Sequence, residues 1–310
     1  MFVSGAFYGD EKVTLDNTVN NTAMDIKQAL VIGDDGTGNK RGEFRAGSAA
    51  ISVNRVFIKI ISTTYRPDIK NKLVAGSSVW NISGTYWKNY GEFYAGTSMV
   101  NFTSGAAGNT IFSGGAPFNN VAFNNASGSW TFQDGMTANS LTSTMGGDLV
   151  FNAGSTYTIT NLTLNGSSGN LVNLSSTTLG SGWNLNVANI TQPLSYVRVS
   201  DSNAANQVLC TDSCSSISGN TNWIFNIYTL NYTRAGNGSG TVTSSPAGIN
   251  SAESTSASFN EGTVVTLTAI PSTGSAFTRW SGDADCADGS VAMNSEVNCT
   301  ATFTEDADND

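Results

Sequence analysis

The chain of 310 residues is long enough for two or three domains, and its charged residues, 14 basic and 23 acidic, are sparse. It contains no histidine, which excludes Ser-His-Asp and Cys-His nucleophilic sites and histidine-ligated zinc or haem. The net charge of −9 argues against a nucleic-acid partner, because nucleic-acid binding needs a basic surface. No apolar run reaches the length of a membrane span, so we expect no transmembrane segment.

The polar residues are mainly Asn, Ser, Thr and Gly, a composition that favours strands over surface helices. The first region, residues 1–78, contains alternating apolar runs at 49–53 and 56–61, which predict strands. Residues 22–32 fit a short helix or a strand, and we favour the strand. The sequence therefore predicts a β-rich N-terminal region.

A candidate for self-association lies within residues 1–30, where the alternating apolar residues Val13, Leu15 and Val19 have no obvious partner strand. Such a segment can add a strand to the sheet of a neighbouring molecule. We therefore expect residues 1–30 to act as a strand-donating segment, and the chain to associate with itself head to tail as an oligomer or filament.

The next region, residues 79–226, consists of short apolar runs that recur at roughly 8 to 12 residues, separated by Gly or Asn. From residue 93 to residue 197 the only charged side chains are Asp134 and Asp148. The spacing fits a β-sandwich or a β-solenoid, and the irregular Gly and Asn corners favour the solenoid. The uncharged outer face is either a solvated layer of hydroxyls and amides or a surface that packs on a neighbouring subunit.

Parts of this region are similar to a known class of proteins. Segments 91–98, 118–125, 195–204 and 219–225 resemble the β-helical stalks of large secreted bacterial surface proteins. The resemblance implies a right-handed parallel β-helix and a role at the cell surface, without an active site.

The four cysteines form two close pairs in the sequence, Cys210 with Cys214 and Cys286 with Cys299. Local pairing is the simplest of the three possible disulfide connectivities. A zinc site is disfavoured because the chain has neither histidine nor a Cys-x-x-Cys motif. Two small disulfide loops indicate an oxidising location, so we expect the protein to be extracellular or at the cell surface.

The last region, residues 227–304, contains a Pro-Ala-Gly turn at 246–248, a Trp-Ser-Gly motif at 280–282 and Cys-Thr-Ala-Thr-Phe at 299–303. These motifs resemble the divergent B-repeat of internalin-type bacterial surface proteins. The resemblance implies a small β module in which Trp280 is a buried core anchor.

Carboxylates are the acid–base groups that remain for catalysis, since a pair of them can hydrolyse sugar polymers. Asp134 and Asp148 each lie beside a glycine and are expected to be turn residues. We therefore predict no catalytic residue, and we expect that the protein is not an enzyme.

Calcium is the one cofactor that the sequence leaves open. Asp283, Asp285 and Asp288 lie around Cys286 and form either an oxygen-ligand site for Ca²⁺ or a solvated loop. The acidic tail, residues 305–310, is either a frayed end or a second calcium-binding segment. Its alternating carboxylates are those of Asp306, Asp308 and Asp310.

Several aromatic residues between 80 and 94 could form either a platform for stacking sugar rings or packing against a core or subunit interface, and we favour packing. They are Trp80, Tyr86, Trp87, Tyr90 and Tyr94. Surface glycans are therefore a second candidate partner beside a copy of the chain itself.

These observations predict an all-β protein, with a β-solenoid or β-sandwich region followed by a small β module and an acidic tail. The expected function is that of a non-enzymatic extracellular structural protein, either a subunit of a bacterial surface fibre or filament or the stalk of an adhesin. The alternative is a glycan-binding or glycan-cleaving β-helix protein.

Overall fold

A computed structural model describes residues 13–18, 23–33, 42–58, 70–190 and 194–306. These residues are almost all β, with one short 3₁₀ turn at Ala284–Cys286 and no α-helix among them. The chain divides into two compact units, Met1–Trp223 and Ile224–Asp310. Within the described ranges, no helix has the length and apolar character needed to cross a membrane.

Short strands make up the first unit. In chain order they are β1 (Val13–Asp16), β2 (Met24–Ile32), β3 (Gly42–Arg45), β4 (Ala50–Ile58), β5 (Lys72–Val74), β6 (Val79–Ile82), β7 (Tyr86–Asn89), β8 (Glu92–Tyr94), β9 (Met99–Phe102), β10 (Asn109–Phe112), β11 (Phe118–Phe123), β12 (Ser129–Phe132), β13 (Met136–Ser143), β14 (Gly147–Phe151), β15 (Thr156–Leu164), β16 (Val172–Ser176), β17 (Trp183–Ile190), β18 (Val197–Ser200), β19 (Ser202–Leu209), β20 (Ser215–Ser218) and β21 (Thr221–Ile224).

Strands β1 to β20 pair in parallel, and the strands of the unit form three stacks. One stack runs β1-β3-β5-β8. A second runs from β2 through β4, β6, β9, β11, β13, β15, β17 and β19 to β21. A third runs from β4 through β7, β10, β12, β14, β16 and β18 to β20. The chain therefore adds strands to these stacks in turn and returns to each stack in the next coil, which is the arrangement of a β-solenoid.

The coils differ in length. Equivalent residues Asn81 and Asn101 lie 20 residues apart, whereas Gly42 and Asn71 lie 29 apart. The paired strands nevertheless keep their register from coil to coil. This variation explains why no fixed period is visible in the sequence.

The interior of the solenoid is filled by the inward side of each alternating strand. Its largest members are Trp80, Trp87, Trp130 and Trp183, each at most 2% exposed. Aromatic rings stack along the coil axis: the centroids of Phe132 and Phe151 lie 5.1 Å apart, and those of Phe151 and Trp183 lie 3.9 Å apart. Burial of these rings is a major source of stabilisation for the unit.

The second unit contains eight strands in its described part. They are β22 (Ile227–Ala235), β23 (Gly240–Ser245), β24 (Asn250–Ser251), β25 (Thr255–Asn260), β26 (Val264–Pro271), β27 (Ser275–Gly282), β28 (Ser290–Ala292) and β29 (Val297–Glu305).

These strands form two four-stranded sheets, ordered β25-β22-β29-β27 and β24-β23-β26-β28. Residues from both sheets form one buried cluster, including Leu230, Val242, Val265, Ala301 and Phe303, each 0% exposed. The second unit therefore has a hydrophobic core of its own.

The expected all-β class is confirmed, and of the two architectures considered for the middle region the structure has the solenoid. Residues 22–32 contain the expected strand, β2. The strands before Val79 are not a separate body, because β3 and β4 pair in parallel with β5 and β6 and form the first described coils of the same unit.

Candidate functional site

Asp134 lies at the turn between β12 and β13, where its carboxylate holds the preceding coil. It accepts hydrogen bonds from Ser113 N (2.8 Å), Ser113 Oγ (2.7 Å) and Gly114 N (2.8 Å). Three donors occupy this carboxylate, so its observed role is to fix a corner of the solenoid.

Asp148 is not the turn residue that the sequence predicted, because it lies within strand β14, where it accepts a hydrogen bond from Asn173 Nδ2 (2.8 Å). It shares no hydrogen-bond partner with Asp134. The structure therefore does not join these two carboxylates in an acid–base pair, and each has a structural contact of its own.

The three aspartates around Cys286 each cap a different backbone amide. Asp283 Oδ2 accepts from Asn298 N (2.7 Å), Asp285 Oδ2 from Ala292 N (2.6 Å) and Asp288 Oδ1 from Ser290 N (2.9 Å). Such contacts satisfy turn amides, which is the ordinary role of Asp in loops.

The acidic tail is described only as far as Asp306, whose backbone N–H donates to Gly274 O (3.0 Å). Asp308 and Asp310 lie outside the described residues. Across the described ranges, no group of three or more Asp, Glu or Cys side chains is arranged to hold a metal ion. Calcium binding by this protein stays a prediction.

The disulfides join the expected partners. Cys210 bonds to Cys214 in the first unit and Cys286 bonds to Cys299 in the second, with Cα–Cα distances of 5.7 Å and 5.5 Å. Cys286 and Cys299 belong to the buried cluster of the second unit, and their bond ties the 3₁₀ turn to β29.

Trp280 is partly buried, whereas the sequence predicted a buried anchor. Its ring lies 5.2 Å from that of Phe277, tilted by 54°, and both side chains pack against the core cluster. Gly289 lies directly against the indole, since a Cβ there would approach Nε1 to 2.9 Å. The tryptophan thus covers the edge of the core.

The structure describes two of the three residues proposed for strand donation. Val13 and Leu15 lie in β1, which pairs in parallel with β3 of the same chain, Leu15 opposite Phe44. Val19 lies outside the described residues. The strand β1 therefore has one edge occupied within its own chain.

An uncharged face covers the outer side of β13, β15 and β17, and we define it by Thr137, Thr156, Thr158, Asn184 and Asn186. The backbone register aligns Thr137 with Thr158 and Asn186, and Thr156 with Asn184. Four of these five side chains are exposed, and Asn184 is half-buried. The rows present hydroxyl and amide groups at the strand spacing of about 4.8 Å.

Asparagine ladders support the solenoid elsewhere on its surface. Asn101 Nδ2 donates to Asn81 Oδ1 (3.0 Å), and Asn124 Nδ2 donates to Asn101 Oδ1 (3.4 Å). These bonds run along the coil axis, so the Asn-rich composition links neighbouring coils without charge.

A second outer surface, on β4, β7 and β10, is aromatic and basic. We call it the aromatic–cation face and define it by Arg55, Phe57, Tyr86, Lys88, Tyr90 and Phe112. Tyr90 stacks on Phe112 (4.8 Å) and meets Phe57 edge-on (5.7 Å). Both cations lie 5.3 Å from the centre of the Tyr86 ring.

The sequence marked Tyr86 and Tyr90 but missed Phe57 and Phe112. The alternation within β7 could have separated its outward tyrosines from the buried Trp87. Phe57 and Phe112 reach Tyr90 only because successive coils stack, so contact between them depends on the register. Tyr94 lies on β8, in another stack, where Lys72 approaches its ring to 4.1 Å.

Comparison with known protein families gives a match within the second unit. Residues 228–307 match the family of the divergent InlB B-repeat domain. Searches of curated proteins and of solved structures gave no match. The expected B-repeat module is thereby confirmed for the second unit, while the resemblance of residues 79–226 to β-helical stalks stays a prediction.

Proposed function

We propose that this protein is a non-enzymatic extracellular structural protein, a subunit of a bacterial surface fibre or the stalk of an adhesin. The B-repeat match carries the proposal, because such domains are typical of bacterial surface proteins. The two disulfides support an oxidising location outside the cytoplasm.

The construction of the first unit is suited to a structural role. Parallel coils linked by backbone ladders, Asn side chains and stacked aromatic rings form a unit in which each coil contacts its neighbours. Extra coils lengthen such a unit without a new fold, which is a useful property in a spacer or stalk.

The uncharged face supplies a surface for contact with another copy. Its Thr and Asn side chains carry no charge that would repel an identical face, and interface cores are generally depleted in charged residues. Contacts of this kind depend on hydrogen bonding and apolar burial, so self-association should be only weakly sensitive to salt.

The ends of the solenoid offer a second contact. Among the described strands, β1 and β21 are the terminal strands of their stacks, paired with β3 and β19, and a further strand added there would extend the stack. We propose that head-to-tail pairing at these edges, together with the uncharged face, builds an open filament.

Negative-stain microscopy and multi-angle light scattering of the full chain test the proposal. Filaments or large oligomers are expected, and Thr158→Lys with Asn186→Lys should reduce them by placing like charges on the uncharged face. Ala107→Lys, in an exposed loop, is the matched control and should leave assembly unchanged.

A monodisperse monomer at high concentration, with and without calcium, would contradict the filament form of the proposal. Equal loss of assembly in the control variant would show that added charge anywhere is sufficient, and that the uncharged face has no special role.

A further inference from the structure

The aromatic–cation face combines stacked rings with cations that form no ion pair among the described residues. Tyr90 is 40% exposed, and its ring forms a ladder with Phe57 and Phe112 across three coils. Such a ladder stabilises the outer side of the solenoid and leaves ring surface in contact with water. Exposed apolar patches of this kind often mark the sites where proteins bind ligands or partners.

The basic groups of this face are available to a ligand. Neither Arg55 nor Lys88 forms an ion pair with a carboxylate of the described residues, and both lie over the ring of Tyr86. Arg55 Nε is buried and has no hydrogen-bond partner. The Arg55 side chain as a whole is half-buried, and its charged guanidinium favours an anionic oxygen on the exposed side.

Acidic groups near this face are engaged elsewhere. Within residues 42–133 the described carboxylates are those of Glu43 and Glu92, and Asp134 follows, hydrogen-bonded to Ser113 and Gly114 beside Phe112. On the paired strand β2, Asp25 is in register with Ser52. Glu43 contacts Arg45 (2.6 Å), and Glu92 accepts a hydrogen bond from the Tyr94 hydroxyl (3.2 Å). The six residues that define the face include two cations and no carboxylate, on a chain of net charge −9, which favours an anionic partner.

From this geometry we propose that the aromatic–cation face binds an acidic polysaccharide. The C–H faces of sugar rings pack on Tyr90 and Phe112, while uronate carboxylates pair with Lys88 and Arg55, which Tyr86 holds in place. Both requirements, flat apolar rings and adjacent anions, are met by one polymer of uronic acids. The binding does not depend on self-association, so it is independent of the proposed filament.

Further along the same outer side, neutral polar residues continue the surface. Thr110 aligns with Tyr86 on one side and with Thr131 on the other. Gln133 follows at the next exposed position. Their hydroxyl and amide groups can hydrogen-bond sugar hydroxyls, so a chain of several residues can lie across successive coils.

Isothermal titration calorimetry of the full chain with oligomers of galacturonate, mannuronate and glucuronate tests this site. Saturable binding to at least one oligomer is expected. Lys88→Ala and Tyr90→Ala should each weaken it by about tenfold, as expected from loss of an ion pair or a stacked ring. Lys72→Ala and Tyr94→Ala remove a similar cation–ring pair on another stack and should leave the affinity unchanged.

Two further probes separate charge from ring stacking. The methyl esters of the bound oligomer keep the sugar rings and lose the charge, so they should bind more weakly. Polyglutamate keeps the charge and lacks rings, and it should not compete. Circular dichroism of each variant should match that of the parent chain, since Lys88 and Tyr90 point outward.

Four results would overturn the proposal. The first is that no oligouronate binds at millimolar concentration. The second is that the control variants weaken binding as much as the face variants do. The third is that polyglutamate competes equally, which would identify an acidic peptide as the partner. The fourth is that Lys88→Ala abolishes self-association instead, which would identify a second copy as the partner.

Discussion

Tyr157 shows how the solenoid uses a polar group in its interior. The side chain is fully buried, and its hydroxyl donates to Asp134 O (2.9 Å) and accepts from Asn152 N (2.8 Å). Burial raises the pKa of this phenol well above its usual value near 10, and the Asn152 amide opposes the shift in part. The hydroxyl thus joins two corners of neighbouring coils while it stays protonated.

The raised pKa of Tyr157 predicts a loss of stability at alkaline pH. Above about pH 10 the unfolded chain loses the phenol proton and the folded chain keeps it. The contribution of Tyr157 to the free energy of unfolding should therefore be at its full value below pH 10. As the pH rises above 10, this contribution should fall by at most about 1.4 kcal/mol per pH unit. Urea unfolding between pH 8 and 11 measures the slope.

The variant Tyr157→Phe should flatten this slope while costing about 1 to 2 kcal/mol at neutral pH, because two buried hydrogen bonds are lost. Tyr90→Phe removes an exposed hydroxyl and serves as the control, with the parent slope expected. An unchanged alkaline slope in Tyr157→Phe would show that other groups control the loss. Tyr232, whose pKa is also raised by burial, is the first alternative.

The partial burial of Trp280 lowers the cost expected for its removal. A fully buried large aromatic replaced by alanine costs about 3 to 5 kcal/mol, so a side chain at the edge of the core should cost less, about 2 kcal/mol. Chemical denaturation of Trp280→Ala measures this, with the exposed neighbour Arg279→Ala as the control. A loss below about 0.5 kcal/mol is ordinary for a surface site. Such a small loss would show that Trp280 contributes little to the core.

At the scale of elements, glycines at one corner of the solenoid determine how closely coils approach. Gly76 has a φ of 64° and Gly96 a φ of 59°, in the left-handed region that disfavours other residues. A Cβ on Gly76 would collide with the carbonyl of Gly47, and one on Gly96 with that of Gly76. Ser77 N and Thr97 N donate to these two carbonyls, which completes the corner.

The variant Gly76→Ala should therefore be more destabilising than an alanine at an open corner. Gly108 is the matched control, because its φ is 75° and nothing lies within 4 Å of its Cβ position. Backbone strain alone predicts about 1 to 2 kcal/mol for Gly108→Ala. The collision should add about 1 to 3 kcal/mol in Gly76→Ala. Equal losses in thermal or chemical unfolding would contradict the steric explanation.

This corner also shows what the sequence could and could not reveal. The segments Ala-Gly-Ser at 46–48, Ala-Gly-Ser at 75–77 and Ala-Gly-Thr at 95–97 repeat in the sequence and stack in space. That repeat already indicates that the first region belongs to the solenoid. The repeat is difficult to see in the sequence because the coils differ in length. The first and second segments are 29 residues apart, and the second and third are 20 residues apart.

Candidate sites were less predictable than strands for a related reason. Alternation within a strand decides which side chains point outward, and it is visible in the sequence. Contact between Tyr90, Phe57 and Phe112 depends on which residues share a register after a corner of variable length. The order of coils is a property of the folded chain, and no single segment encodes it.

At the scale of the whole molecule, each of the two units has its own core. The buried cluster of the second unit draws only on residues after Ile227, and the ladder of coils occupies the first unit. Units of this kind can unfold in separate transitions, so a single free energy of unfolding would not describe the chain. Trp280 is the one tryptophan after Trp223, which gives the second unit a distinct fluorescence signal.

The disulfides make that separation testable. Cys286–Cys299 closes a longer loop than Cys210–Cys214, with sequence separations of 13 and 4 residues. The loop-entropy model predicts stabilisation of about 3 kcal/mol for the longer loop and about 2 kcal/mol for the shorter. Replacing Cys286 and Cys299 by alanine should therefore lower the transition of the second unit and leave that of the solenoid in place.

Calorimetry of the full chain, combined with fluorescence of a Trp280→Phe variant that reports on the solenoid alone, measures both transitions. The variant lacking Cys210 and Cys214 is the reciprocal control and should shift only the solenoid transition. One cooperative transition that moves as a whole in both disulfide variants would contradict independent units.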